Sequence, residues 1–198
     1  MADLFGLIWA GVVSGCLYAL GAIGIVLIYK SSNVANFAHG NLAGPAAFLV
    51  FGFTAGILGD MAWGAALMVS LAIMTAVMAL SYFLIAPLVF KSDLTSTIAT
   101  LGIGLIAQGV TQLVFGSNVV SLELPLPNWY AQVGSMRITS YDMAVLVVTA
   151  ASVGLLYLLI ERTRVGIAFR AVSANPFASR VCGLSLRRIH LFSWVVAG

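Results

Sequence analysis

The chain has 198 residues, 9 basic and 6 acidic, with 62% apolar and 8% charged side chains. A soluble domain carries about 45–50% apolar and about 25% charged residues, so this composition cannot cover a water-facing surface. Disorder is excluded too, because it needs low hydrophobicity and high net charge. What remains is an integral membrane protein. The net charge of +3 matters less than its placement: six of the nine basic residues fall between Arg162 and Arg188, with no acidic residue among them. In so apolar a chain that cluster signals membrane topology and not nucleic acid.

A membrane-crossing helix needs about 20 mostly apolar residues. Charge-free runs cover 4–29, 42–59, 61–90, 94–122 (its apolar part ending near Phe115) and 143–160. A sixth begins at Ile189 and stops at Gly198, about half a span by the same length rule. The expectation is an all-α, polytopic membrane helical bundle with five full spans plus the start of a sixth. It forms a single transmembrane domain over 1–198 that looks cut inside its last helix. The first run has only Asp3 before it and exceeds a signal-peptide apolar region, so it reads as a retained helix.

Orientation follows from the basic residues. The 161–189 segment is expected in the cytoplasm. Counting back, the 117–140 loop with Pro125, Pro127, Trp129 and Tyr130 is external. The turn at Lys91 is then cytoplasmic, Asp60 external, Lys30 cytoplasmic and the N-terminus external. Cys16 and Cys182 fall in different compartments, which argues against a disulfide, and with only His39 and His190 beside them they make no metal site. Gly11 and Gly15 form a small-xxx-small pair suited to close helix packing. A glycine-rich helix broken beside a solute path is the sharper alternative, and both stay open.

Two segments carry more information. Residues 31–41 read SSNVANFAHGN, polar but uncharged apart from His39. Asn33, Asn36, His39 and Asn41 offer donors and acceptors between two apolar runs. Irregular polar backbone at membrane depth survives only when buried in protein or facing a water-filled cavity. A capped turn at the cytoplasmic edge competes with a stretch of substrate path, since Asn and Gly are ordinary turn residues.

The second segment is 162–188. Residues 166–174 suit a short helix. Asn175-Pro176 then marks a new start, with Asn as N-cap and Pro in the first turn. Gly183 closes that helix after about two turns. Phe177, Val181 and Leu184 fall near one side at i, i+4 and i+7. A basic loop on anionic lipid explains the arginines, but not the start, stop and apolar stripe together.

The quoted stretches resemble a known family. GVVSGCLYALGAIGIVLIY (11–29), NVANFAHGNL (33–42), APLVF with TSTIATLGIG (86–104) and GIAFRAVSANPFASRVCGLSLRRIHLFSWVVAG (166–198) are similar, in order, to permease subunits of ABC importers for branched-chain amino acids, most to the LivH type. The resemblance implies a pore made by two related permeases, two cytoplasmic ATP-binding subunits and a periplasmic or extracellular substrate-binding protein. It implies a bacterial inner-membrane location, with no cofactor. It likens Arg170, Asn175, Pro176, Phe177, Ala178, Arg180, Val181 and Gly183 to the helix that couples permease to ATPase. It also implies a longer chain, since family members continue for about a third more of their length.

Two other classes compete. Catalysis in a bilayer and ion-coupled transport both call for intramembrane ionisable residues. None of the runs holds an Asp, Glu, Lys or Arg within its core. No G-x-x-x-x-G-K-[ST] occurs either, so ATP binding falls to a partner. The residues leave the substrate open among leucine, isoleucine, valine, urea and short amides.

Overall fold

The structure, a computed structural model, describes residues 2–89, 92–116, 120–133 and 136–198. Lys91, expected at a cytoplasmic turn, lies outside the described residues. In chain order the elements are α1 (Ala2–Ser32), α2 (Ala38–Thr54), α3 (Trp63–Val89), α4 (Asp93–Phe115), β1 (Tyr130–Val133), β2 (Met136–Thr139), α5 (Ser140–Arg162), α6 (Arg164–Ala174), α7 (Pro176–Val181) and α8 (Leu186–Ala197).

Four of these, α1, α3, α4 and α5, are long and apolar enough to cross a membrane. The expected second span is the exception. Helix α2 has 17 residues, begins four residues before the apolar run and ends at Thr54. Gly56 and Gly59 follow at φ 75° and 151°, conformations that stop a helix at no cost to glycine. The sixth run appears as α8, which starts at Leu186 inside the basic segment.

The chain divides into two compact units, Met1–Ile23 with Leu124–Ile167, and Gly24–Glu123 with Ala168–Gly198. In the first, β1 and β2 pair antiparallel, with Tyr130 opposite Thr139 and Val133 opposite Met136. This hairpin interrupts the expected all-helical plan. The Arg137 guanidinium lies 4.4 Å from the Tyr130 ring centre, one residue pair diagonal in the ladder.

Strand β2 runs directly into α5 through a capping box. The Thr139 hydroxyl accepts from the Asp142 N–H at 3.2 Å, and the Asp142 carboxylate accepts from the Thr139 N–H at 2.9 Å. These satisfy two of the orphan N–H groups at a helix start. The same carboxylate accepts the Trp9 indole N–H at 3.3 Å and ties α1 to α5.

The second unit holds the apolar core. Ile28 of α1, Val34, Ala38 and Leu42 meet Met74, Met78, Tyr82 and Ile85 of α3, and Trp194 of α8 closes the cluster. Helix α8 seats through three contacts. The Tyr82 hydroxyl donates to the Arg187 carbonyl at 3.1 Å, the Tyr82 and Trp194 rings lie 5.9 Å apart, and the His190 ring hydrogen-bonds the Ser31 backbone. Outside this core, α4 exposes Leu94, Ile98, Leu105, Ile106 and Leu113, a surface that suits hydrocarbon.

Candidate functional site

Helices α2 and α4 run parallel in contact. Phe37 meets Thr100, Asn41 meets Gly104 and Gln108, and Phe48 and Gly52 meet Phe115. This pairing fixes the depth of the polar segment. At 1.5 Å per residue, Gly104 stands about 16 Å along α4 from Asp93, near the middle of that span. Helix α2 therefore starts beside the middle of a membrane-length helix. The segment 33–37, bonded to Thr100 about 10 Å along α4 from Asp93, is irregular backbone within the length of that span, the arrangement expected of a broken helix.

Irregular backbone there needs partners within the protein, and the structure supplies several. The Asn36 side-chain oxygen accepts the Ala38 N–H at 3.1 Å, and its amino group lies 3.8 Å from the Met78 sulfur. The Thr100 hydroxyl accepts the Phe37 N–H at 3.0 Å and donates within α4 to the Thr97 carbonyl at 2.6 Å. Val34, Asn36 and Thr100 are wholly buried. Asn36 is thus committed to the turn that launches α2.

The other three residues of the expected polar site are distributed around it. Asn33 is exposed and carries the left-handed φ of 57° that asparagine tolerates. His39 is half-buried against Gly24 of α1, where any Cβ would overlap its ring. Asn41 accepts from the Gln108 amide at 3.2 Å. Thr100 and Gln108 were not singled out from the sequence. Their signal was available: polar side chains at i and i+8 within an apolar run, sharing a helix face with Gly104.

On the opposite flank of the α2–α4 seam lies a groove of about 420 Å³ lined by Leu42, Pro45, Met74, Val77, Ala107 and Val110. Its hydroxyls, Ser81 and Thr111, bond the Val77 and Ala107 carbonyls of their own helices at 2.7 and 2.8 Å. The groove therefore presents hydrocarbon and no free donor.

The basic segment folds as its punctuation indicated. The Asn175 side chain accepts the Ala178 N–H at 3.0 Å, Pro176 opens α7, and Gly183 ends it at φ 83°. The Cys182, Gly183 and Leu184 N–H groups return to the Ala178, Arg180 and Ser179 carbonyls, each at 3.0 Å, so the last turn is satisfied internally. Phe177 and Val181 are 77% and 74% exposed, while Leu184 is half-buried. Arg170, Ala178 and Arg180 are exposed beside them. Cys16 and Cys182 are both free.

Three relatives compare over nearly the whole chain. A probable branched-chain amino acid transport permease protein LivH of Methanocaldococcus jannaschii is 28% identical over 200 residues, covering 92% of this chain and 59% of its own length. The high-affinity branched-chain amino acid transport system permease protein LivH of Salmonella typhimurium is 26% identical over 201 residues, covering 94% and 64%. The Escherichia coli K12 protein of the same name is 25% identical over 200 residues, with the same two shares. The chain thus spans about three-fifths of the length of these relatives. No solved structure matches it. The family model described as branched-chain amino acid transport system / permease component matches residues 7–198, and the chain belongs to that family of multi-pass membrane permeases.

Proposed function

We propose that the chain is a transmembrane permease subunit of an ABC importer and forms part of the path for branched-chain amino acids. Separate ATP-binding subunits drive it, a second, homologous permease completes the pore, and a periplasmic or extracellular binding protein delivers the substrate. The site is the bacterial inner membrane, with an external N-terminus and a cytoplasmic 161–189 segment, the orientation that the arginine cluster favours. In this reading α2 is a partial-depth helix, and Asn33, Asn36, His39 and Asn41 shape or support the path at its start.

The observation that carries the proposal, beside family membership, is α7. Six residues are too few to persist in water alone, since isolated helices under about 12–15 residues are marginal. Here caps hold both ends, yet the two large apolar side chains point away from the protein. Such a helix wants an apolar pocket on a partner. Arg170 and Arg180 flank it for acidic groups on the same partner.

The route from α7 inward is contiguous. Helix α7 hands on to α8, whose Trp194 meets Tyr82 on α3, and Met78 one turn away meets Asn36. Motion of the docked helix thereby reaches the turn that launches α2.

The test compares Phe177→Ala with Arg188→Ala in the transporter assembled from this chain and its partner subunits. Truncating a central anchor costs about 2 kcal/mol or more, about a 30-fold weakening. Phe177→Ala should release the ATP-binding subunit and lower leucine uptake, with Arg188→Ala nearly neutral. The converse pattern identifies a lipid-binding loop and overturns the docking helix.

A further inference from the structure

Gln108 sits about one turn from the middle of α4 and is exposed. Gln112 follows one turn later on the same side and is exposed as well. Across the seam, Asn41 lies against Gly104, where a Cβ would come within 2.7 Å of the Asn41 amide nitrogen. Gly40 and Gly44 continue that side of α2 with open space where side chains would stand. The result is a face of amides over a glycine floor at mid-membrane depth. It is separate from the hydrocarbon groove on the other flank.

Hydrocarbon does not suit such a face. Polar side chains within a bilayer turn towards protein or a water-filled cavity. The inventory of groups narrows the choice. The Gln108 amino group donates to the Asn41 oxygen at 3.2 Å. Asn41 then keeps its amino group as donor, and Gln108 keeps its carbonyl oxygen as acceptor. Pro45, four residues after Asn41, has no N–H for the Asn41 backbone carbonyl, which adds an acceptor beside them. Two amides fully paired to each other would make a static interhelical clasp. The N–H groups and carbonyl oxygens left over on the two side chains, with the Asn41 backbone carbonyl beside them and no fixed charge, instead complement a small zwitterion.

We propose that Asn41 and Gln108 are specificity-determining residues that contact the α-ammonium and α-carboxylate of an amino acid passing through the membrane. The amino group of Asn41 meets the carboxylate. The Gln108 oxygen and the Asn41 carbonyl meet the ammonium. The absence of a charged partner keeps the contact weak enough for release, as conduction requires. This rests on the transport reading and adds to it the class of chemical group recognised and the residues that do so.

The experiment uses the complete transporter in proteoliposomes, with Cys16→Ser and Cys182→Ser as background. Gln108→Cys and Leu113→Cys are labelled with a membrane-impermeant methanethiosulfonate, with and without leucine. Leu113 is 88% exposed on the far side of α4 and serves as the lipid-facing reference. A thiol in hydrocarbon has a raised pKa and little thiolate, so Gln108→Cys should react at least about tenfold faster. Leucine should slow it. In a parallel arm Gln108→Leu should raise the KM for leucine by about five- to thirtyfold, the effect of losing one polar partner, with assembly intact.

Equal labelling of the two cysteines overturns the proposal. So does a Gln108→Leu variant that loses its partner permease while Gln108→Cys stays unreactive, which identifies a helix interface. If the unaltered transporter takes up no leucine while Gln108→Cys remains reactive, the transport reading fails, and the amino acid fails with it as occupant of a water-exposed face.

Discussion

Gly104 offers a sharp test of how α2 is held at mid-span. A Cβ there would lie 2.7 Å from the Asn41 amide nitrogen, 2.9 Å from the Asn41 Cβ and 3.2 Å from the Ala38 Cα. The amide can swing aside, but the other two atoms belong to the start of α2 and move only if the helix moves. Overpacking of this kind costs about 1–3 kcal/mol. Gly102 and Gly109 lie on the same helix, with nothing within 4 Å of an added Cβ. There alanine should be neutral or gain up to about 1 kcal/mol from helix propensity.

The three alanine variants therefore separate contact from propensity within one helix. A gap of about 2 kcal/mol between Gly104→Ala and Gly109→Ala corresponds to about 4–8 °C in melting temperature for a chain of this size. The assay is thermal unfolding of the purified protein in detergent, followed by the fraction that stays monodisperse. Gly104→Ala should melt lowest, and adding Asn41→Gly should recover part of the loss, because the two sites touch. Equal melting of Gly104→Ala and Gly109→Ala would refute the parallel α2–α4 packing from which the depth of the polar segment is derived.

Two further outcomes follow from local hydrogen bonding. Thr139→Ala should cost about 0.5–2 kcal/mol by removing the capping box, and Thr139→Ser should restore most of it; equal melting of the Ala and Ser variants would show that the cap adds nothing. Asn36→Ala leaves the Ala38 N–H unpaired in a buried site and should cost about 1–3 kcal/mol, with Asn36→Ser intermediate. If Asn36→Ala melts like the unaltered chain, the turn is held by Thr100 alone.

The long helices were legible because each rests on an uninterrupted charge-free run, and nothing in tertiary structure competes with that signal. α7 was legible for a different reason: Asn175, Pro176 and Gly183 are punctuation that acts within a few residues. The hairpin was not, because strands of four residues leave too short an alternation to stand out beside proline-rich loop sequence. The start of α2 was displaced for a physical reason as well. Apolarity begins at Leu42, but the helix begins after the turn that the Asn36 side chain holds, and Met78 and Thr100 close over that turn from α3 and α4. Thr100 and Gln108 stand out locally as polar positions on one helix face, but their partners lie 63 and 67 residues away, so the local pattern alone does not give their roles.

A charge-free membrane core and a broken helix answer the same requirement. A span with buried carboxylates stores its driving force inside the bilayer and must titrate or bind an ion to move. Around the α2 turn, Asn36, Thr100, Asn41 and Gln108 handle polarity with neutral groups. In the transport reading such groups hold a solute without trapping it, but they cannot move it against a gradient. The work has to enter from outside the membrane. In the proposed importer the capped, exposed α7, which leads through α8 to the same core as the α2 turn, is the element assigned to receive it. In the proposed importer, then, the polar break and the docking helix are parts of one device. Loss of the Phe177 anchor should leave water access at Gln108→Cys intact while abolishing accumulation of leucine. Were Phe177→Ala to close the path to the labelling reagent, the two parts would instead be linked through folding.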